Sequence, residues 1–231
     1  MRNSNLIITE NYDNQLSFIT EMEDENSFGY LYKTLNDEQK DVIDRMIMGE
    51  NIFITGNAGT GKSYVVRAFD RYCEEQKIDL IKTAPTGISA NEIDGATLHH
   101  QFKLKIGLDF EKPLKYPKCL DFTDVLLIDE ISMVRFDVFD KVMQLLVLAN
   151  STRARKKKRP IQIILVGDFY QLAPVISKEE KPYLEEFYGM DIKDGYCFQS
   201  QWWQYLDIKM CNLTTVMRQD DIAFCKALDK C

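Results

Sequence analysis

The chain has 231 residues, 45% of them hydrophobic, enough for one large domain with an ordinary core. No stretch approaches the ~20 apolar residues of a membrane-spanning helix, and the N-terminus MRNSNLIITENYDN lacks the apolar run that follows the basic start of a secretory signal. The formal net charge of −7 is uneven: residues 1–30 hold six acids and one base, a net of −5, which leaves −2 for the rest, so any nucleic-acid site must be a local groove and not a broadly basic face.

Residues 1–30 read as a weakly ordered acidic lead-in, or as an extension laid over the main domain. LNDEQKDVIDRMIMGEN then predicts a helix with Val42, Ile43, Met46 and Ile47 on one face. NIFIT (51–55) is a short buried strand that runs into GNAGTGKS (56–63), and KSYVVRAFDRYCEEQK is the helix after it. IDLIKTA (78–84) and DVLLID (124–129) read as the second and third strands, 134–149 as a helix, IQIILVG (161–167) as the fourth strand and DIKMCNLT (207–214) as a fifth. Apolar strands alternating with helices predict an α/β fold, a mostly parallel sheet covered on both faces. Ligands of such sheets sit at the carboxyl ends of the strands. RARKKKRP (153–160) falls between a helix and the start of a strand, hence at the amino ends, and reads as a solvated loop; nuclear targeting or auxiliary phosphate binding is the alternative. The stretch 175–196 is polar with scattered aromatics and no period. DIAFCKALDKC ends inside an apparent helix, so the chain reads as a piece of a longer protein. The six cysteines (73, 119, 197, 211, 225 and 231) form no CxxC pair and do not cluster with the two histidines, which points to reduced thiols of an intracellular protein and away from zinc.

Two stretches carry chemistry. Gly56, Asn57, Ala58, Gly59, Thr60, Gly61, Lys62 and Ser63 fit GxxxxGK(S/T), placed after a strand and opening a helix. Glycines let backbone N–H groups turn inward around phosphates, and the helix N-terminus adds positive potential. Lys62 then reaches the β- and γ-phosphates of ATP and Ser63 holds Mg²⁺. The plain alternative is an ordinary strand-to-helix turn. VLLIDEISM sets Asp129 and Glu130 at a strand's carboxyl end, where Asp129 suits a metal-bound water and Glu130 suits a base for the attacking water.

With these, LNDEQ, TAPTGISANEIDGATLHHQF, LVGDFYQLAPV, CFQSQWW and LTTVMRQ follow in order over roughly residues 33–231. Together they resemble the superfamily 1 DNA helicases, and within them the Pif1-like group, close to the RecD helicases. The resemblance implies a RecA-like P-loop NTPase domain of an ATP-dependent DNA helicase of 5′–3′ polarity, spanning 31–174 and 197–231, with 175–196 as a short wedge-like insertion. No second block of apolar strands follows, so the second RecA-like domain is expected to be absent from this chain. Gln39 resembles the glutamine that reads adenine; Asn36-x-x-Gln39 also fits a helix capping box, and the two roles can coexist. Gln171 resembles the residue that senses the γ-phosphate and links it to DNA. Arg218 resembles an arginine that touches the γ-phosphate, the alternative being a surface arginine in a helix cap. Thr86 and Gly87 would offer a hydroxyl and an amide to DNA phosphates. His99 and Phe102 would meet bases of a single strand, with core packing as the alternative; Pro174 is a further DNA candidate, and His100 reads as core. The implied partners are single-stranded DNA and duplex junctions, bound by a monomer with no membrane, in the nucleus, the cytoplasm or a viral replication site. A P-loop module that recruits a partner without moving on DNA is the competing reading. A metabolic P-loop transferase has no use for the segments around Gln171 and Arg218.

Overall fold

Six short strands, β1 (Ile52–Gly56), β2 (Leu80–Ala84), β3 (Ala96–Thr97), β4 (Val125–Ile128), β5 (Gln162–Val166) and β6 (Lys209–Leu213), form one sheet in the order β3-β2-β4-β5-β1-β6. Every pairing is parallel. The computed structural model describes residues 24–105, 107–108 and 116–216. Around the sheet lie the helices α1 (Phe28–Thr34), α2 (Asp37–Met48), α3 (Lys62–Gln76), α4 (Gly87–Glu92), α5 (Leu98–Phe102), α6 (Phe136–Arg155), α7 (Lys181–Tyr188) and α8 (Gln201–Tyr205).

Strand side chains alternate between the two faces of a sheet, and each face has its own core. Ile52, Ile54, Leu127 and Ile164 pack with Leu31, Val42, Ile43, Val65 and Phe69 from α1, α2 and α3. Phe53, Leu126, Ile128 and Leu165 pack with Leu98 and Phe102 from α5 and with Phe139, Val142 and Leu146 from α6. The five strands read from the sequence are all present, each within two residues at either end. β3 was not expected; at two residues it has no apolar run to signal it.

Three stretches bear on the expectations. The described part of the lead-in packs on the domain, the second of its two readings: Ser27 caps α1, the Phe28 amide donates to Glu75 Oε1 at 2.7 Å, and the Phe28 ring meets Tyr72 edge-on at 5.0 Å. Residues 1–23 lie outside the described residues. Helix α6 runs on to Arg155, so it takes in the start of the basic run, and Arg153 is only 4% exposed. Its guanidinium donates to the carbonyls of Arg159 (2.8 Å) and Thr123 (2.6 Å) and to Asp124 (2.8 Å). Residues 155–159 are exposed, as a solvated loop requires. The stretch 175–196 contains α7, with a proline in its first turn and Gly189 in the left-handed conformation at its end. Leu184 and Ile192 bury themselves against Phe136.

Candidate nucleotide-binding site

The glycine loop is shaped by positions that need no side chain. Gly59 and Gly61 adopt φ of +79° and +83°, conformations that a Cβ disfavours. A Cβ on Gly56 would stand 2.3 Å from the Leu213 carbonyl oxygen, because β6 runs beside β1 right up to the loop. Helix α3 opens at Lys62, whose ammonium reaches back and donates to the carbonyls of Gly56 (2.7 Å) and Asn57 (3.2 Å). Ser63 lies exposed in the first turn of α3.

The loop is held from behind by α2. Thr60 is buried; its hydroxyl donates to the Asn57 carbonyl at 2.9 Å, and its own carbonyl accepts from Gln39 Nε2 at 3.1 Å. Both halves of the capping box are formed: Gln39 N donates to Asn36 Oδ1 (2.9 Å) and Asn36 N to Gln39 Oε1 (3.1 Å). Gln39 is 0% exposed. Its side-chain amide serves both as the cap of α2 and as a tether that holds the loop in shape.

Asp129 and Glu130 follow β4 at its carboxyl end. Burial pushes the Asp129 carboxyl up to about 6; the bond from the Glu130 amide (2.9 Å) opposes the rise, and the charges of Glu130 and Glu92 add to it. Glu130 sits at φ +48°, a left-handed backbone that costs a non-glycine residue of order 1 kcal/mol and recurs at functional sites. The arrangement depends on strand order. β5 lies between β1 and β4, so the segment after it emerges between the glycine loop and the two acids. There Asp168, buried, accepts from Tyr170 N (3.0 Å) and from Gln171 Nε2 (3.2 Å), which turns the exposed Gln171 toward the same space. Lys62, Ser63, Glu130, Asp168 and Gln171 line one cleft of about 660 Å³. The sequence reading passed over Asp168; an Asp directly after a strand-ending glycine, ready to bond amides two and three residues on, was the signal for it.

The positions read as DNA-facing divide. Thr86 caps α4, accepting from Ser89 N at 3.1 Å, and Gly87 is exposed beside it, both at the carboxyl end of β2. His99 is half-buried; burial, then the nearby Lys141, lowers its pKa. Phe102 is 1% exposed and belongs to the core. Stacking on a base is therefore corrected: Leu98 and Phe102 stand four apart on α5 and point together into the sheet. Pro174 is buried too, whereas His100, read as core, is exposed. Arg218 lies outside the described residues.

A family model described as PIF1-like helicase matches residues 34–228. The chain is 36% identical over 198 residues to the ATP-dependent DNA helicase RRM3 of Saccharomyces cerevisiae, which covers 80% of this chain and 25% of that protein. It also resembles the crystal structure of Bacteroides Pif1 bound to single-stranded DNA, with a TM-score of 0.64 and 28% identity over 85% of this chain and 45% of that one. The same is true of Bacteroides Pif1 in complex with ADP-AlF4 (TM-score 0.63, 27% identity, 85% and 45% covered). The chain thus spans about a quarter of the length of that curated relative and under half of the solved chains.

Proposed function

The chain belongs to the PIF1-like helicase family, and from that premise we propose that it is the ATP-binding and hydrolysing motor unit of an ATP-dependent DNA helicase. The observation that carries this reading is the convergence of Lys62, Glu130 and Gln171 in one cleft at the carboxyl ends of three adjacent strands. Lys62 holds two neutral carbonyls there; a triphosphate offers charged oxygens, which make stronger bonds to an ammonium. Glu130 orients and deprotonates the attacking water, and Gln171, steadied by Asp168, reports the γ-phosphate to the DNA side. Ser63 and Asp129 fit a magnesium ion, since a dication reverses the effect of burial on a carboxyl group. When bound, Mg²⁺ neutralises charge developing on the transferred phosphoryl group.

In this reading residues 31–174 and 197–231 form the first of two RecA-like domains, 1–30 an acidic extension and 175–196 a small wedge. Arg218 is the arginine that touches the γ-phosphate. Thr86 and Gly87 contact phosphates of single-stranded DNA, with His99 at their side. The motor works as a monomer, moves 5′–3′ and acts at duplex junctions. The four described cysteines are free, which suits a reducing compartment, the nucleus or the cytoplasm.

The test is ATP hydrolysis with and without single-stranded DNA. DNA should stimulate turnover. Lys62→Ala should abolish both turnover and tight binding of a non-hydrolysable analogue, whereas Glu130→Gln should keep the binding and lose the turnover, because only the base is gone. Tight binding by Lys62→Ala, or normal turnover by Glu130→Gln, overturns the roles. ATP binding with no response to DNA favours a recruiting module instead.

A further inference from the structure

We propose that Glu38 is a positioning residue of the nucleotide site: its carboxylate ties the chain leaving β6 to the first turn of α2 and so lays Val216 beside the glycine loop. The inference deepens the nucleotide reading given above and rests on it. Glu38 accepts three hydrogen bonds from a segment 176 and 177 residues away, from Thr214 N at 2.9 Å, Thr214 Oγ1 at 2.5 Å and Thr215 N at 3.1 Å. β6 ends at Leu213, so these two amides lie past the strand ladder. A carboxylate, with its two oxygens and about four lone-pair sites, takes them over. The three bonds, the Thr214 hydroxyl first, hold the Glu38 carboxyl below its ordinary range.

The consequence appears one residue further on. A Cβ built on Gly59 would stand 3.7 Å from Val216 Cγ1, so the valine, 58% exposed, lies beside the glycine loop. The next residue of α2, Gln39, holds that loop through the Thr60 carbonyl. One helical turn therefore grips two segments: Gln39 the loop, and Glu38 the strap beside it. A glutamate serving only the dipole of its own helix needs no such partners.

Hydrogen exchange on the 231-residue chain, with and without a non-hydrolysable ATP analogue, separates the two roles. Glu38→Ala should speed exchange at the amides of residues 214 and 215 and also at those of 59 to 61, each by about tenfold, while β4 keeps its wild-type rates. Affinity for the analogue should fall about fivefold, and Thr214→Val should act in the same direction, more weakly. In the double variant the second change should add less than about twofold, because both remove one interaction. Glu38→Gln, which keeps an acceptor oxygen, should recover part of the loss. Faster exchange confined to 214 and 215 with unchanged analogue affinity overturns the proposal; so does an effect confined to α2, which marks a cap and nothing more. If the wild-type chain binds the analogue no better than Lys62→Ala, the nucleotide reading fails instead, and exchange at residues 59 to 61 still decides whether Glu38 positions the loop.

Discussion

Arg153 carries its charge inside the molecule because three acceptors meet it there, two of them main-chain carbonyls. Removing it strands those carbonyls, so Arg153→Met is expected to cost about 2 kcal/mol or more. Lys157→Met, on the exposed turn, should stay within about 0.5 kcal/mol. Urea denaturation of the two variants reads the difference. Phe102 gives a second contrast. As a core ring it should cost about 3–5 kcal/mol on replacement by alanine, with DNA affinity of the folded protein unchanged; a drop in affinity at wild-type stability would restore it as a base contact. That Lys62, Glu130 and Gln171 gather at one cleft was legible in the sequence, the first two from motifs of fixed spacing at strand ends and Gln171 from the resemblance. Phe102, His100 and Arg153 were not, because burial depends on which way a short helix turns and on acceptors distant in sequence. Asn36 and Gln39 stood between: the capping box was legible, but the pull on the Thr60 carbonyl was not, since no local pattern encodes it.

At the level of elements, the strands were readable as apolar runs ending in unusual residues, since a parallel sheet buried on both faces leaves few other sequences for them. Helix α7 was hidden because its inward face is essentially one leucine, Leu184, with aromatics around it. The same topology decides what the basic run does. It precedes β5 and therefore sits at the amino ends of the strands, whereas the glycine loop, Thr86 and Gln171 lie at the carboxyl ends. A single strand held beside Thr86 is expected not to reach it. Each phosphate neutralised on single-stranded DNA contributes a slope of about −0.7 to log K against log salt. Half a groove should then give a slope on the order of −1 to −2, and neutralising Arg155, Lys156, Lys157, Lys158 and Arg159 together should leave it unchanged. Binding titrations at several salt concentrations measure it, and a slope near about −5 would bring the basic turn into the DNA track.

The described residues form one sheet with the candidate nucleotide cleft at its carboxyl ends, and that bounds what they can do alone. Phosphoryl transfer needs charge on the γ-phosphate neutralised from several sides. In the proposed reading Lys62, a metal at Ser63 and Asp129, and Arg218 supply one side of the nucleotide. A two-domain motor adds an arginine from its other half, and groups of that kind contribute about 10³ to 10⁵ in rate in other NTPases. Stepping has a separate requirement: two bodies whose spacing changes with the nucleotide between them. One body holds a strand without moving along it. Residues 1–231 are therefore expected to bind ATP, to hydrolyse it slowly and to leave a tailed duplex paired, while a protein of the relatives' full length separates it. An ATPase assay and a strand-separation assay on both proteins, side by side, decide the matter. Unwinding by the 231-residue chain at a rate comparable to the longer protein would mean that this single sheet contains the entire motor, and the reading of residues 31–174 and 197–231 as the first of two RecA-like domains would have to be abandoned.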